Sequence, residues 1–230
     1  MSNVMFAALE NRIKARYPGF SYKFKDEESF MQRIGKAMFF NKDFMTSYTN
    51  TFGQTVYFPN RANFDKNPDN YFETLCHEYV HIADDAAHPI LFKLKYALPQ
   101  ILALPAVLFI LLSPIFIFLM AFSIISSLWL LTLLSVVFLA PIPSPGRTQA
   151  ELRGYGMSIK IRMWANINDV TPYLNRYLPA FVGSGYYYMC PFKRYVAKEL
   201  DKYFKTDDCI NDKNPAYKDV YNLVQKYETL

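Results

Sequence analysis

Charge is missing from one long stretch of this chain. Between Lys95 and Arg147 there is no Asp, Glu, Lys or Arg, and the run is mostly Leu, Ile, Val, Phe, Ala and Ser. Histidine is scarce, with three in 230 residues. Cysteine is as scarce: Cys76, Cys190 and Cys209 are too few, and odd in number, for a disulfide scaffold, so a reduced compartment is the simpler expectation. There is no basic stripe. The 25 Lys+Arg against 20 Asp+Glu leave a net charge of +5, and the basic residues are scattered, so no nucleic-acid partner is expected. Residues 1–17 carry Glu10, Arg12, Lys14 and Arg16 without an apolar core run, which is unlike a secretory signal. No internal repeat is visible. What the chain does have is aromatic mass, 20 Phe and 18 Tyr, which excludes a disordered polymer. Its length fits one ordinary domain, or one domain plus a membrane element.

The patterning predicts a helix over Met1–Tyr17 and a second over Asp26–Phe40, with Phe30, Ile34, Met38 and Phe39 on one side. Residues 45–59, rich in Thr, Tyr, Val and Phe and punctuated by Asn50 and Gly53, read as two short strands or a strand and a turn. Asn60–Asn70 reads as a polar loop. Tyr71–Ala87 reads as a helix that Asp69 or Asn70 can cap and Pro89 ends. Further helices are expected over Thr148–Trp164, Arg194–Phe204 and Ala216–Tyr227, with Pro/Gly loops between.

The uncharged run is too long for one membrane span of about 20 residues. It fits two, at Ala97–Leu119 and Ala121–Ala140, turning near Ser123–Ser127. Lys93, Lys95, Arg147 and Arg153 flank the outer ends, and basic flanks favour the cytoplasmic side. The expectation is a two-span membrane hairpin with both termini on that face and a lipid bilayer as partner. The alternative is a helical hairpin buried in a large assembly.

Residues 77–81 read His-Glu-Tyr-Val-His. On a helix, positions i and i+4 share a face, so His77 and His81 can offer two imidazoles to one metal ion. Glu78 is placed to take a proton from a water at that ion, whose pKa zinc lowers toward about 7. With so few histidines, a chance match is on the order of one in a thousand.

A hydrolytic zinc site needs a third protein ligand and one open position. His88 is seven residues past His81, and the long three-histidine motif needs six with a glycine midway, where this chain has Ala87 and Asp84. Asp84 and Asp85 would need a sharp turn that no glycine permits. Cys76 points about 100° away from His77 on a helix. Glu151, early in the helix after the uncharged run, is the best candidate. The competing reading is structural: Thr148-x-x-Glu151 also matches a capping box. Tyr155, one turn after Glu151, is a candidate hydrogen-bond donor to an oxyanion or to the carboxylate ligand. Tyr186–Tyr188 read as packing aromatics.

His77-Glu78-x-x-His81, a hydrophobic hairpin, and then Glu151 on a downstream helix resemble the gluzincin-type zinc metallopeptidases. The HtpX-like integral-membrane group has a membrane hairpin in the same place, though it usually carries glycine where this chain has Val80. The short form, with Leu75-Cys-His-Glu-Tyr-Val-His-Ile82, Tyr96-Ala-Leu-Pro-Gln100 and Ala150-Glu-Leu-Arg-Gly-Tyr155, is more similar to compact metallopeptidases encoded by tailed bacteriophages. The likeness covers residues 45–160. It implies a zincin-like fold, Zn2+ as cofactor, and an edge strand upstream of the motif helix that holds a peptide substrate, for which Gly53–Pro59 is in the right place.

The expected fold is therefore α+β: a mainly helical zincin-like catalytic domain with a small sheet, from residues 1–95 and 146–230, and an inserted transmembrane helical hairpin at 96–145. The expected function is membrane-anchored zinc peptide hydrolysis, with His77, His81 and Glu151 as ligands and Glu78 and Tyr155 as catalytic groups. The expected partners are a peptide or protein substrate and a larger phage or membrane complex. The rival is a phage virion or membrane-inserting structural protein whose zinc site is vestigial or structural. A closed four-ligand site would favour that rival.

Overall fold

A computed structural model describes residues 2–37, 41, 43–66, 68–122, 143–165, 169, 171–183, 188–206 and 212–228. Among these the chain is mainly helical with one small sheet. The order is α1 Ser2–Arg16, β1 Ser21–Phe24, α2 Ser29–Ala37, β2 Asn50–Phe52, β3 Thr55–Phe58, α3 Arg61–Lys66, α4 Pro68–Ala87, α5 Pro89–Ala121, α6 Pro145–Trp164, α7 Thr171–Val182, α8 Lys193–Lys205 and α9 Pro215–Glu228.

The sheet has strand order β1-β3-β2. β2 and β3 form an antiparallel hairpin in which Phe52 opposes Thr55. Only Gly53 and Gln54 lie between them, and Gly53 takes φ +61, where a residue without Cβ is unstrained. β1 pairs parallel with β3, Ser21 opposite Thr55. β3 is thus the middle strand and β2 an edge. This corrects the expectation for Gly53–Pro59: Thr55–Phe58 is central, and the edges are Asn50–Phe52 and Ser21–Phe24. β1 itself is a strand that four residues of sequence did not reveal.

Two apolar clusters share α6. One gathers Phe6, Leu9 and Ile13 of α1, Phe24 and Val56 of the sheet, Leu75, Cys76 and Tyr79 of α4, Met157 of α6 and Val220 of α9. The other gathers Leu152 and Ile159 of α6 with Leu178 and Phe181 of α7 and Val196 and Leu200 of α8. α6 is therefore apolar on opposite sides and lies between the two clusters, as befits a central helix. Asp219 of α9 ties the first cluster together. It accepts hydrogen bonds from Arg12 (3.0 Å), Arg16 (3.0 Å) and the Tyr79 hydroxyl (2.6 Å).

Several expected elements shift. The polar loop after Asn60 contains the short helix α3. α4 begins at Pro68, ahead of the expected Tyr71. α7 forms despite Pro172 and Pro179. In α2 the buried side chain is Met31, and Phe30, expected inside, is 57% exposed. Met38, Phe39, Tyr186 and Tyr187 lie outside the described residues, as do the side chains of Asp69 and Asn70.

The membrane hairpin is not supported. Among the described residues no helix is long and apolar enough to cross a membrane. The first expected span, Ala97–Leu119, is part of α5, whose opening turns carry Lys93 and Lys95. That helix packs on α4 and α6. The boundary expected after residue 95 therefore falls inside a continuous helix that begins in the packed domain. Ser123–Ser127 and most of Ala121–Ala140 lie outside the described residues. The two-span fold and the two-span membrane placement fall with the hairpin. A lack of charge records only that a segment needs no ionised group, and other apolar surfaces meet that condition as well as lipid.

Candidate metal centre

α4 and α6 cross in close contact, and the site is built where they meet. On α4, Leu75, Cys76, Tyr79 and Val80 are buried in the core, which turns the 77/78/81 face toward α6 and the sheet. His77 and His81 bring their Nε2 atoms to 3.0 Å from each other. Glu151 Oε2 lies 3.4 Å from His77 Nε2 and 4.0 Å from His81 Nε2. Ligand atoms from His77, His81 and Glu151 all fall within 4.8 Å of one another, so this group could hold a metal ion.

Glu151 has no capping role. α6 starts at Pro145 after Ser144, and the Thr148 hydroxyl donates to the Met189 carbonyl at 3.1 Å. Glu151 is 2% exposed and sits one turn inside the helix. Its Oε1 accepts a 2.6 Å hydrogen bond from the Tyr96 hydroxyl, and its Oε2 is buried with no hydrogen-bond partner. A buried carboxylate oxygen without a hydrogen-bond partner, beside two imidazole nitrogens, fits a cation site.

The electrostatics agree with that. Burial alone would raise the Glu151 pKa. The nearby rings of His77 and His81 and the Arg147 guanidinium outweigh it and hold the carboxyl at about 2. At His81, burial and the neighbouring His77 both disfavour protonation, and the pKa falls to about 4. Burial also disfavours charge on His77, but the carboxylates of Glu151, Glu78 and Glu73 outweigh it and the pKa rises. Near neutrality Glu151 is anionic and His81 neutral, the forms in which these groups bind cations. His81 Nδ1 is buried with no hydrogen-bond partner among the described residues.

Glu78 follows His77 and is 7% exposed. Its Oε2 accepts a 2.6 Å hydrogen bond from Thr51 on the edge strand β2. Burial raises its pKa, and His77 and the Thr51 bond oppose the shift only in part. Tyr155 places its ring edge-on to His77, centroids 4.8 Å apart, and packs on Tyr177 and Phe181.

No family model matches this chain, and no curated protein and no solved structure matches it. The likeness to gluzincins therefore rests on the sequence motif, and the His77, His81 and Glu151 cluster does not by itself establish that family.

The other candidates are elsewhere. Asp84 pairs with Arg153 at 2.9 Å and accepts from Asn214. Asp85 lies 3.6 Å from Lys93. Cys76 is fully buried in the core with a free thiol. His88 precedes α5 and is outside the cluster.

Three contributors were not anticipated from sequence. Thr51 carries no motif signal, being one hydroxyl among many, and Tyr96 stood only at the head of the Tyr96-Ala-Leu-Pro-Gln100 segment, with no role at the site read from it. Gly154 did carry a signal. It lies inside a helix, three residues after Glu151, and a Cβ there would meet the His77 ring at 2.5 Å. A glycine in a helix interior often marks such a close approach.

Proposed function

We propose that this protein is a zinc-dependent peptidase in which His77, His81 and Glu151 are the metal ligands and Glu78 is the general base. The observation that carries the reading is the meeting of three donors from two helices with a buried glutamate beside them. Two nitrogens and one carboxylate are a donor set that suits zinc. Ligands about 2.0–2.1 Å from a tetrahedral ion sit roughly 3.3 Å apart. The spacings of 3.0, 3.4 and 4.0 Å fall around that value.

Among the described residues no fourth histidine, cysteine or carboxylate joins the group. Three protein donors with one position open is the pattern of a hydrolytic site, and it counts against the closed structural site of a virion protein. When bound, zinc at such a site lowers the pKa of water and polarises a carbonyl.

The residues of the chain do the rest. Glu78 accepts a proton from the attacking water as a new C–O bond forms at the peptide carbonyl. It returns the proton to the departing amine nitrogen as the C–N bond breaks. Its raised pKa suits both halves of that task. Thr51 holds Oε2 and leaves Oε1 for the exchange. Tyr155, against the His77 ring, is the proposed donor to the oxygen that gains charge. The test is Glu78→Gln: peptide hydrolysis disappears while zinc stays bound at the wild-type ratio. Unchanged hydrolysis in that variant contradicts the reading.

A further inference from the structure

The groove on either side of the ligands carries information about the substrate. Two cavities open there, of about 400 Å³ and about 800 Å³. His77, Glu78, Tyr48 and Thr49 line both of them. His77 and Glu78 therefore stand between two cavities, and His81 and Glu151 face the smaller of them. Space on both sides of His77 and Glu78 suits a chain that continues past the cut in both directions, where a site that trims chain ends needs room on one side only.

The two sides differ in chemistry. Phe44, Tyr48, Phe52, Phe92 and Tyr96 face the smaller cavity. They come from three directions: the turn before β2, the edge strand itself, and the first turns of α5. Phe92 and Tyr96 stack with centroids 5.8 Å apart. The charges at that cavity, outside the metal centre, are engaged. Asp85 lies against Lys93 at 3.6 Å, and the Arg147 guanidinium lies 5.1 Å from the centre of the Tyr96 ring. The larger cavity is polar by comparison, with Asp43, Glu73, Arg162 and Arg176 among its walls.

We infer that the protein cuts polypeptides at internal bonds, and that the residue on one fixed side of the cut is large and apolar, held by Phe44, Phe52, Phe92 and Tyr96. This rests on the peptidase reading above. The apolar side chain leaves water for an aromatic-lined pocket whose volume lies within the usual range of ligand sites. The rest of the chain continues into the polar cavity beyond His77, where main-chain groups find hydrogen-bonding partners. Phe52 separates specificity from metal binding, because it touches none of the three metal donors in the contacts described, whereas Phe92 also packs on the His81 ring, centroids 6.2 Å apart.

The experiment uses the full chain loaded with zinc and a peptide mixture in which half the members are acetylated and amidated at their ends. Products are located by mass spectrometry. Blocked peptides are expected to be cut internally, with Phe, Tyr, Leu or Met on one side of each cut. Phe92→Ala, and independently the more exposed Phe52→Ala, lower kcat/KM at those bonds about 10-fold or more. Phe52→Ala leaves zinc content unchanged, and its loss at those bonds exceeds its loss at bonds flanked by Ala. A requirement for a free terminus, or cutting indifferent to the flanking side chain, overturns the inference and leaves the peptidase reading standing. Zinc-loaded protein that cuts no peptide overturns both.

Discussion

The hydroxyl of Tyr96 donates a 2.6 Å hydrogen bond to Oε1 of Glu151, two residues at opposite ends of the uncharged run. The bond ties the first turns of α5 to α6 and leaves Oε2 turned toward the histidines. Burial, reinforced by the Glu151 carboxylate, pushes the Tyr96 phenol well above its usual range, so it remains a donor. Partners of this kind commonly account for 10–100-fold in metal affinity. Tyr96→Phe is therefore expected to weaken zinc binding by about that factor, read by competition with a chelator of known affinity. Unchanged affinity would show that Glu151 is oriented by packing alone.

Gly154 gives a steric prediction. Gly154→Ala places a methyl 2.5 Å from the His77 ring, in a helix that is buried there and has nowhere to move. Overpacking of this sort costs about 1–3 kcal/mol. Denaturant unfolding should show that loss, and zinc should be lost with it because His77 is displaced. A variant that binds zinc normally at full stability contradicts the close approach.

Asp219 tests the frame beneath the site. It joins α1, α4 and α9 through Arg12, Arg16 and Tyr79. The carboxylate is buried, so Asp219→Ala leaves Tyr79 without its partner and costs roughly 2–4 kcal/mol in unfolding free energy. Tyr79→Phe removes the same hydroxyl bond and should cost less, because no charge is stranded. Equal effects would argue against the carboxylate as the centre of the network.

Lys25 supplies a pH dependence. Its ammonium is buried and donates to the carbonyls of Phe44 and Tyr48 at 2.6 Å each, fixing the turn that borders both cavities. Burial lowers its pKa from 10.5 to about 8, with Glu78 opposing the shift. A lysine whose pKa falls on folding releases its proton earlier in the native state. The unfolded chain then binds more protons between about pH 8 and 10.5, and stability rises with pH across that window. The difference between the native protein and Lys25→Met should move in favour of the native protein there, by up to about 3 kcal/mol. A flat difference contradicts a depressed pKa.

Much of the centre was legible because it is local. His77, Glu78 and His81 fall within five residues of one helix, where periodicity alone fixes their shared face. Glu151 was found by requiring a third ligand, and the capping-box alternative fell only when α6 was seen to start at Pro145. Thr51, Tyr96 and the strand β1 depend on contacts between distant segments, to which a single sequence gives no access. The membrane hairpin failed for a related reason. Composition reports what a segment avoids, and the first turns of α5 show the run entering the packed domain through Tyr96. In α2 the inward side is set by tertiary packing, and Met31 is buried where Phe30 is not.

The central claim is one ion held jointly by α4 and α6, and metal content measures it directly. Purified protein dialysed against trace zinc and then analysed by elemental mass spectrometry should carry one zinc per chain. His77→Ala and Glu151→Ala should each carry far less, while His88→Ala keeps the full amount. Zinc retained at one per chain in Glu151→Ala, or no zinc in the native protein at micromolar supply, contradicts the account.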